Sequence, residues 1–197
     1  MNDTSNVTNT HNGHEYVDLG LPSGLLWATC NVGASSPEQS GLYFAWGETV
    51  GYTADHVKSG ERSFDDKSHK AKVISIIFSL KQDTANHYMG GKWRVPTKDE
   101  WRELLDNCDT DWTDDYNGTR VAGRVFTSKI NGNLVFFPAA GRCLNSSVSH
   151  IGPRGYYWSA SWYSSSSTWY LCFGYGLYNM GISSMYYGQS VRGVCKR

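Results

Sequence analysis

The chain has 197 residues, close to the size of one domain and long enough to bury a core. Lys and Arg number 18, as do Asp and Glu, so the formal charge is zero and the basic footprint that nucleic-acid binding needs is missing. Mean hydropathy is negative, and the longest apolar run, Val73 to Leu80 interrupted by Ser75 and Ser79, is far short of the roughly 20 residues that cross a bilayer, so no membrane insertion is expected.

Aromatic residues reach 14% and glycines number 21, against 18% charged residues, a balance typical of strand-rich, loop-rich chains. Cys30, Cys108, Cys143, Cys172 and Cys195 form an odd set without C-x-x-C spacing. Neither a zinc knuckle nor a redox motif is indicated, and at least one thiol is expected to be free.

In chain order, residues 1–13 lack the charged start, apolar middle and cleavage site of a signal peptide and read as a flexible tail. Tyr16 to Leu21 alternates as a strand, Pro22-Ser23-Gly24 turns, and Leu25 to Cys30 resumes as a second strand. Leu42 to Trp46 reads as a third. Residues 51–72 turn polar and charged and are expected to be a long mobile surface loop. Ser79 to Met89 reads as a short helix stopped by Gly90-Gly91. Thr97-Lys98-Asp99-Glu100 fits a capping box, and Trp101, Leu104, Leu105 and Cys108 follow as one apolar helical stripe. Beyond an acidic stretch at Asp109, Asp111, Asp114 and Asp115, strands are expected at Val121 to Phe126, Leu134 to Phe137 and Phe137 to Gly141, with an Asn131-Gly132 hairpin turn. Two helices among many strands make an α+β domain.

From Gly155 through Val191 there is no Asp, Glu, Lys or Arg across 37 residues, where the chain average would place about six or seven. The same stretch carries twelve aromatics, and most of the remainder is Ser, Gly, Ala, Thr and Asn. A core strand accounts for aromatics but not for this many hydroxyls and glycines. Tyr, Trp, Ser, Gly and Asn together are the vocabulary of binding loops, where rigid rings give contact area at low entropy cost. Period two along Tyr170 to Gly174 puts Leu171 and Phe173 on a packed face and Tyr170, Cys172 and Gly174 on a face open to ligand.

Several phrases then point to a family: His14-Glu15-Tyr16-Val17-Asp18-Leu19-Gly20-Leu21-Pro22-Ser23-Gly24, Leu26-Trp27-Ala28-Thr29-Cys30-Asn31-Val32-Gly33-Ala34, Tyr43-Phe44-Ala45-Trp46-Gly47-Glu48, Trp93 to Trp101, Phe137-Pro138-Ala139-Ala140-Gly141, Tyr157-Trp158-Ser159 and Gly188-Gln189-Ser190-Val191-Arg192. From His14 to Cys195 the chain resembles the Fibrobacter-type major paralogous domain of gut Bacteroidetes. The resemblance implies a C-type-lectin-like fold, close to that of formylglycine-generating enzymes, with two helices, a multi-stranded antiparallel sheet and long loops over 14–197. It also implies kinship with variable proteins of diversity-generating retroelements, displayed on a virion or cell surface or secreted, whose C-terminal codons are rewritten at adenines. On that resemblance Leu171, Phe173, Ser190, Val191 and Arg192 match framework positions. Tyr170, Cys172, Gly174, Leu177, Asn179, Met180, Ile182, Ser183 and Ser184 match positions where relatives carry Tyr or Asn. Met180 departs, since an Asn codon cannot become Met by changing its adenines alone.

Chemistry finds less support than binding. A formylglycine-generating enzyme would need a reactive cysteine pair, for which Cys172 and Cys195 are the candidates, but the resemblance carries no catalytic pair onto them. No His lies within or after the aromatic stretch to activate a nucleophile; His150 is the nearest. Asp109, Asp111, Asp114 and Asp115 could hold calcium, yet they follow no EF-hand spacing, and a solvated acidic loop is favoured. The expectation is a non-catalytic domain without cofactor or metal that binds a protein or glycan receptor on another cell. Trp162, Tyr163, Trp169, Tyr175 and Tyr178 join the nine positions above as its contact residues. A dedicated carbohydrate-binding module or a surface adhesin subunit is the alternative.

Overall fold

The computed structural model describes residues 9–69 and 83–197. The apolar run at Val73 to Leu80 and the first part of the expected 79–89 helix lie outside them.

Among the described residues, three sheets and three short α-helices make an α+β domain in which sheet dominates. Strands β1 (Thr10–His11), β2 (His14–Asp18), β3 (Leu25–Asn31) and β12 (Arg192–Lys196) form a four-stranded antiparallel sheet that joins the two ends of the chain. The expected tail is therefore corrected at its inner end. Asn12 and Gly13 both take positive φ (50° and 78°), the geometry an Asn-Gly hairpin turn needs, and fold β1 back onto β2. Trp93 Nε1 donates to the His11 carbonyl at 2.9 Å and holds this hairpin against the body.

Helix α1 (Ala54–Lys58) lies where a mobile loop was expected. Thr53 and His56 cap its start reciprocally, and Val57 and the following Phe64 are fully buried with Tyr43, Ala45 and Cys143. Two apolar anchors in a polar stretch are enough to dock the segment. Leu42 to Trp46 forms no regular strand. Tyr43, Phe44, Ala45 and Trp46 are all buried, so the segment threads between layers, held by single bridges with Tyr52 and Gln189 and by backbone N–H bonds from Leu42 to Val32 and from Trp46 to Met185.

Helix α2 (Thr84–Met89) is capped by Asp83 and stops at Gly90, and helix α3 (Lys98–Asn107) starts at the Thr97–Glu100 capping box the sequence encodes. Trp101, Leu104 and Cys108 enter the main core, while Leu105 packs at its margin. The Trp101 ring lies 4.9 Å from Trp27, and Phe137, Phe126, Tyr157, Leu171 and Phe173 complete the cluster. Each such ring or branched side chain contributes about 1.5–3 kcal/mol on burial.

The acidic stretch is partly strand: β4 (Cys108–Thr113) pairs with β5 (Gly123–Ser128), which pairs with β6 (Leu134–Pro138). The β5–β6 turn runs over five residues, 129–133, with Gly132 at φ 77°. The third sheet has the order β11-β10-β9-β7-β8, built from β7 (Ala140–Leu144), β8 (Ser147–Ile151), β9 (Arg154–Ser164), β10 (Ser167–Gly174) and β11 (Leu177–Ser184). All its pairings are antiparallel except β7 with β9, which run parallel at Gly141 and Gly155. Among the described residues no helix is long and apolar enough to cross a membrane.

Candidate functional site

The uncharged stretch folds into three consecutive strands, β9, β10 and β11, with β11 at the free edge of the five-stranded sheet. Tight turns at 165–166 and 175–176 join them. The register sets Tyr157 beside Leu171 and Leu171 beside Met180. Leu171 and Phe173 are fully buried on the inner face, as their alternation predicts.

The fourteen expected contact residues divide into groups. At the hairpin tip Tyr175 is 80% exposed, with its ring 6.4 Å from Trp112. Beside it the Arg124 guanidinium lies 4.9 Å over the exposed Tyr178 ring and donates to the carbonyls of Gly174 at 2.6 Å and Tyr175 at 3.1 Å. At the other end, toward α3, Lys98 Nζ stands 4.5 Å over Trp169, which meets Tyr163 edge to face at 5.6 Å, with Ile182 in register beside Trp169. Leu177, Tyr178, Asn179 and Ile182 of β11 are all exposed, so each side of this edge strand presents side chains to solvent.

Six of the fourteen are buried or half-buried in ways that the sequence reading did not anticipate. Cys172 is buried, 6% exposed, because Tyr156 and Tyr170 crowd the outer face around it. Gly174 is buried beneath Arg124, and Ser183 is buried where its hydroxyl accepts from Gln189 Nε2 at 3.2 Å. Trp162 packs on the second core cluster with Trp158 and Met185, its Nε1 without a hydrogen-bond partner. Met180 packs against the main core, and Ser184 is half-buried at the strand's end.

The outer face of the sheet adds residues that the sequence reading did not include. Tyr170 stacks on Tyr156 at 6.0 Å, Arg142 lies 4.8 Å over Tyr156 and 4.8 Å over Tyr187, and Tyr187 stacks on Tyr186 at 5.2 Å. This ladder crosses β10, β9 and β7. His150 meets Tyr156 at 6.0 Å, and the exposed Arg154 faces the Tyr156 hydroxyl. Toward Trp158 the same face is closed by residues 44–46 and 185–190: Trp158 Nε1 donates to the Phe44 carbonyl and Trp46 Nε1 to that of Ser159. Gly181 leaves room for the Tyr170 ring, since a Cβ there would sit 2.9 Å from it. The one signal available for Arg142 is tertiary, the parallel pairing of β7 with β9.

The cysteines are all free. Burial pushes the Cys108 and Cys195 thiols up to about 11 and Cys143 to about 12, and raises Cys172 as well. These four are held as thiols at neutral pH, where a nucleophile would need the thiolate. The four aspartates separate: Asp109 lies 3.9 Å from Lys129, Asp111 faces solvent, Asp114 accepts from Trp112 Nε1 and Asp115 from the Arg120 N–H. Among the described residues no group of three or more His, Cys, Asp or Glu is placed to hold a metal ion. Comparison with protein-family models, curated proteins and solved structures finds no match.

Proposed function

We propose that the protein is a non-catalytic binding domain of the C-type-lectin-like class, whose β10–β11 hairpin and adjoining outer sheet face seat a protein receptor on another cell. One observation carries the reading. Of the ten large hydrophobic side chains exposed among the described residues, five lie within residues 155–191: Tyr163, Tyr175, Leu177, Tyr178 and Ile182. An exposed, uncharged edge strand without proline or lysine is a liability that proteins normally blunt, so its presence here favours use over accident. Exposed Leu177 and Ile182 suit the apolar centre of a protein interface better than the hydroxyls of a saccharide. On the resemblance to retroelement variable proteins, the hairpin is the part that differs among copies of the gene.

The test is saturable binding of the fluorescently labelled protein to candidate bacterial cells, before and after protease shaving of those cells. The Tyr175→Ser, Leu177→Ser, Tyr178→Ser triple variant loses binding by at least tenfold while its melting temperature holds. Equal binding by the triple variant, or binding that survives shaving and is competed by neutral glycans, overturns the reading.

A further inference from the structure

Arg142 is half-buried on β7, with its guanidinium carbon 4.8 Å over each of two tyrosine rings. Its carbonyl accepts from Ser149 Oγ, but among the described residues no protein oxygen accepts from its guanidinium and no carboxylate pairs with it. Arg154, on the next strand and exposed, is likewise in no ion pair among the described residues, and His150 lies beside the same Tyr156 ring. The segment that forms the rest of this face supplies no acid at all, since residues 155–191 contain none. A guanidinium fixed by ring stacking loses little further entropy when its N–H fork takes a planar oxyanion, and it takes a carboxylate bidentately.

We infer that the outer sheet face is an anion-recognition site in which Arg142, flanked by Tyr156 and Tyr187 and supported by Arg154, receives an aspartate or glutamate carboxylate of a protein partner. The inference rests on the binding function proposed above and names the chemistry that the partner presents. A protein is the occupant because the same face carries the exposed Leu177, in register with Gly174 on the side of Cys172 and Tyr170, and a carboxylate ringed by apolar contact is a protein surface. The patch then supplies the charge and the hairpin the apolar area, an Arg and Tyr combination that concentrates binding energy in interfaces.

The probe is poly-L-glutamate, with oligogalacturonate as the acidic saccharide and dextran as the neutral control, titrated at low and at physiological salt while the arginine side-chain N–H signals are followed by NMR. Poly-L-glutamate shifts the Arg142 signal, and its affinity falls at least tenfold in Arg142→Gln. Arg142→Lys recovers only part of the loss, because an ammonium keeps the charge without the planar fork. Arg154→Gln, at an exposed position, lowers affinity two- to fivefold without touching the core and keeps the test valid where Arg142→Gln unfolds. Tighter binding of oligogalacturonate than of poly-L-glutamate overturns the protein assignment. Unchanged affinity in both glutamine variants, or no binding of either polyanion at low salt, overturns the site. If cell binding through the hairpin survives Arg142→Gln, this inference fails while the proposed function stands; if the hairpin variant also binds cells normally, both fail.

Discussion

Arg192 Nε donates to Asn31 Oδ1 at 3.0 Å in the interior, and the same guanidinium donates to the carbonyls of Ala28 and Phe136 while lying 4.4 Å over the Phe137 ring. Arg192 is completely buried, and among the described residues it pairs with no carboxylate. It ties β12, β3 and β6 together through carbonyl oxygens, with the Tyr157 hydroxyl close by at 3.2 Å from Asn31 Nδ2. Removing it leaves several buried acceptors unpaired, each costing about 1–3 kcal/mol. Arg192→Ala is therefore expected to lower stability by about 3 kcal/mol or more, and Arg192→Lys to rescue less than half, as read from urea midpoints.

Glu100 closes the α3 capping box and accepts from Arg94 at 2.7 Å and from the Thr97 N–H at 2.8 Å. Burial pulls its carboxyl upward, but these bonds and the Arg94 charge outweigh burial and hold it below the usual range. Its contribution is thus fully present above the unfolded value, about 4.3, and is lost as pH falls through the folded one. Asp83 has the opposite sign: burial raises it despite donors from Asn86 and Val95, so its contribution is full at low pH and fades as pH rises through the folded value. Glu100→Gln is expected to lower the melting temperature at pH 7 and to make it less sensitive to acid between pH 5 and pH 3. A pH profile parallel to that of the parent protein would contradict this.

Cys30 is half-buried, whereas Cys108, Cys143, Cys172 and Cys195 are buried and carry thiols raised by burial. Thiol titration at pH 8 is expected to label Cys30 first and the remaining four only on unfolding. Fast labelling of Cys172, located by mass spectrometry, would mean that the outer face is more open than its packing implies.

Sequencing the coding segment for residues 155–197 across the source population is expected to find variation at Tyr170, Leu177, Asn179 and Ile182, with Leu171, Phe173 and Val191 fixed. The last three are fully buried, while the varied positions are exposed or half-buried. An invariant segment would remove diversification from the account and leave one dedicated partner.

Local chemistry made α3 and the inner face of β10 readable in advance. A capping box and an i, i+3, i+4 stripe act within one helix, and Leu171 and Phe173 alternate within one strand. The Asn12-Gly13 turn was equally local, yet its flanking strands are two and five residues long, too short to show alternation. The burial of Cys172 and the inward packing of Trp162 were not readable, because period two names a face without saying what lies on it. Arg142 reaches the site through a parallel strand pairing, and Phe64 docks a charged segment through one ring; both are tertiary facts with no local pattern.

The most direct test of the proposed binding face is a saturation library over residues 155–191, sorted once for protease-resistant folding and once for cell-surface binding. The account predicts that Tyr157, Leu171, Phe173 and Ser183 tolerate little change in the folding sort. Tyr175, Leu177, Tyr178, Asn179 and Ile182 should tolerate nearly any residue there and yet govern binding. Folding sensitivity at those five positions, or binding indifferent to all of them, would contradict it.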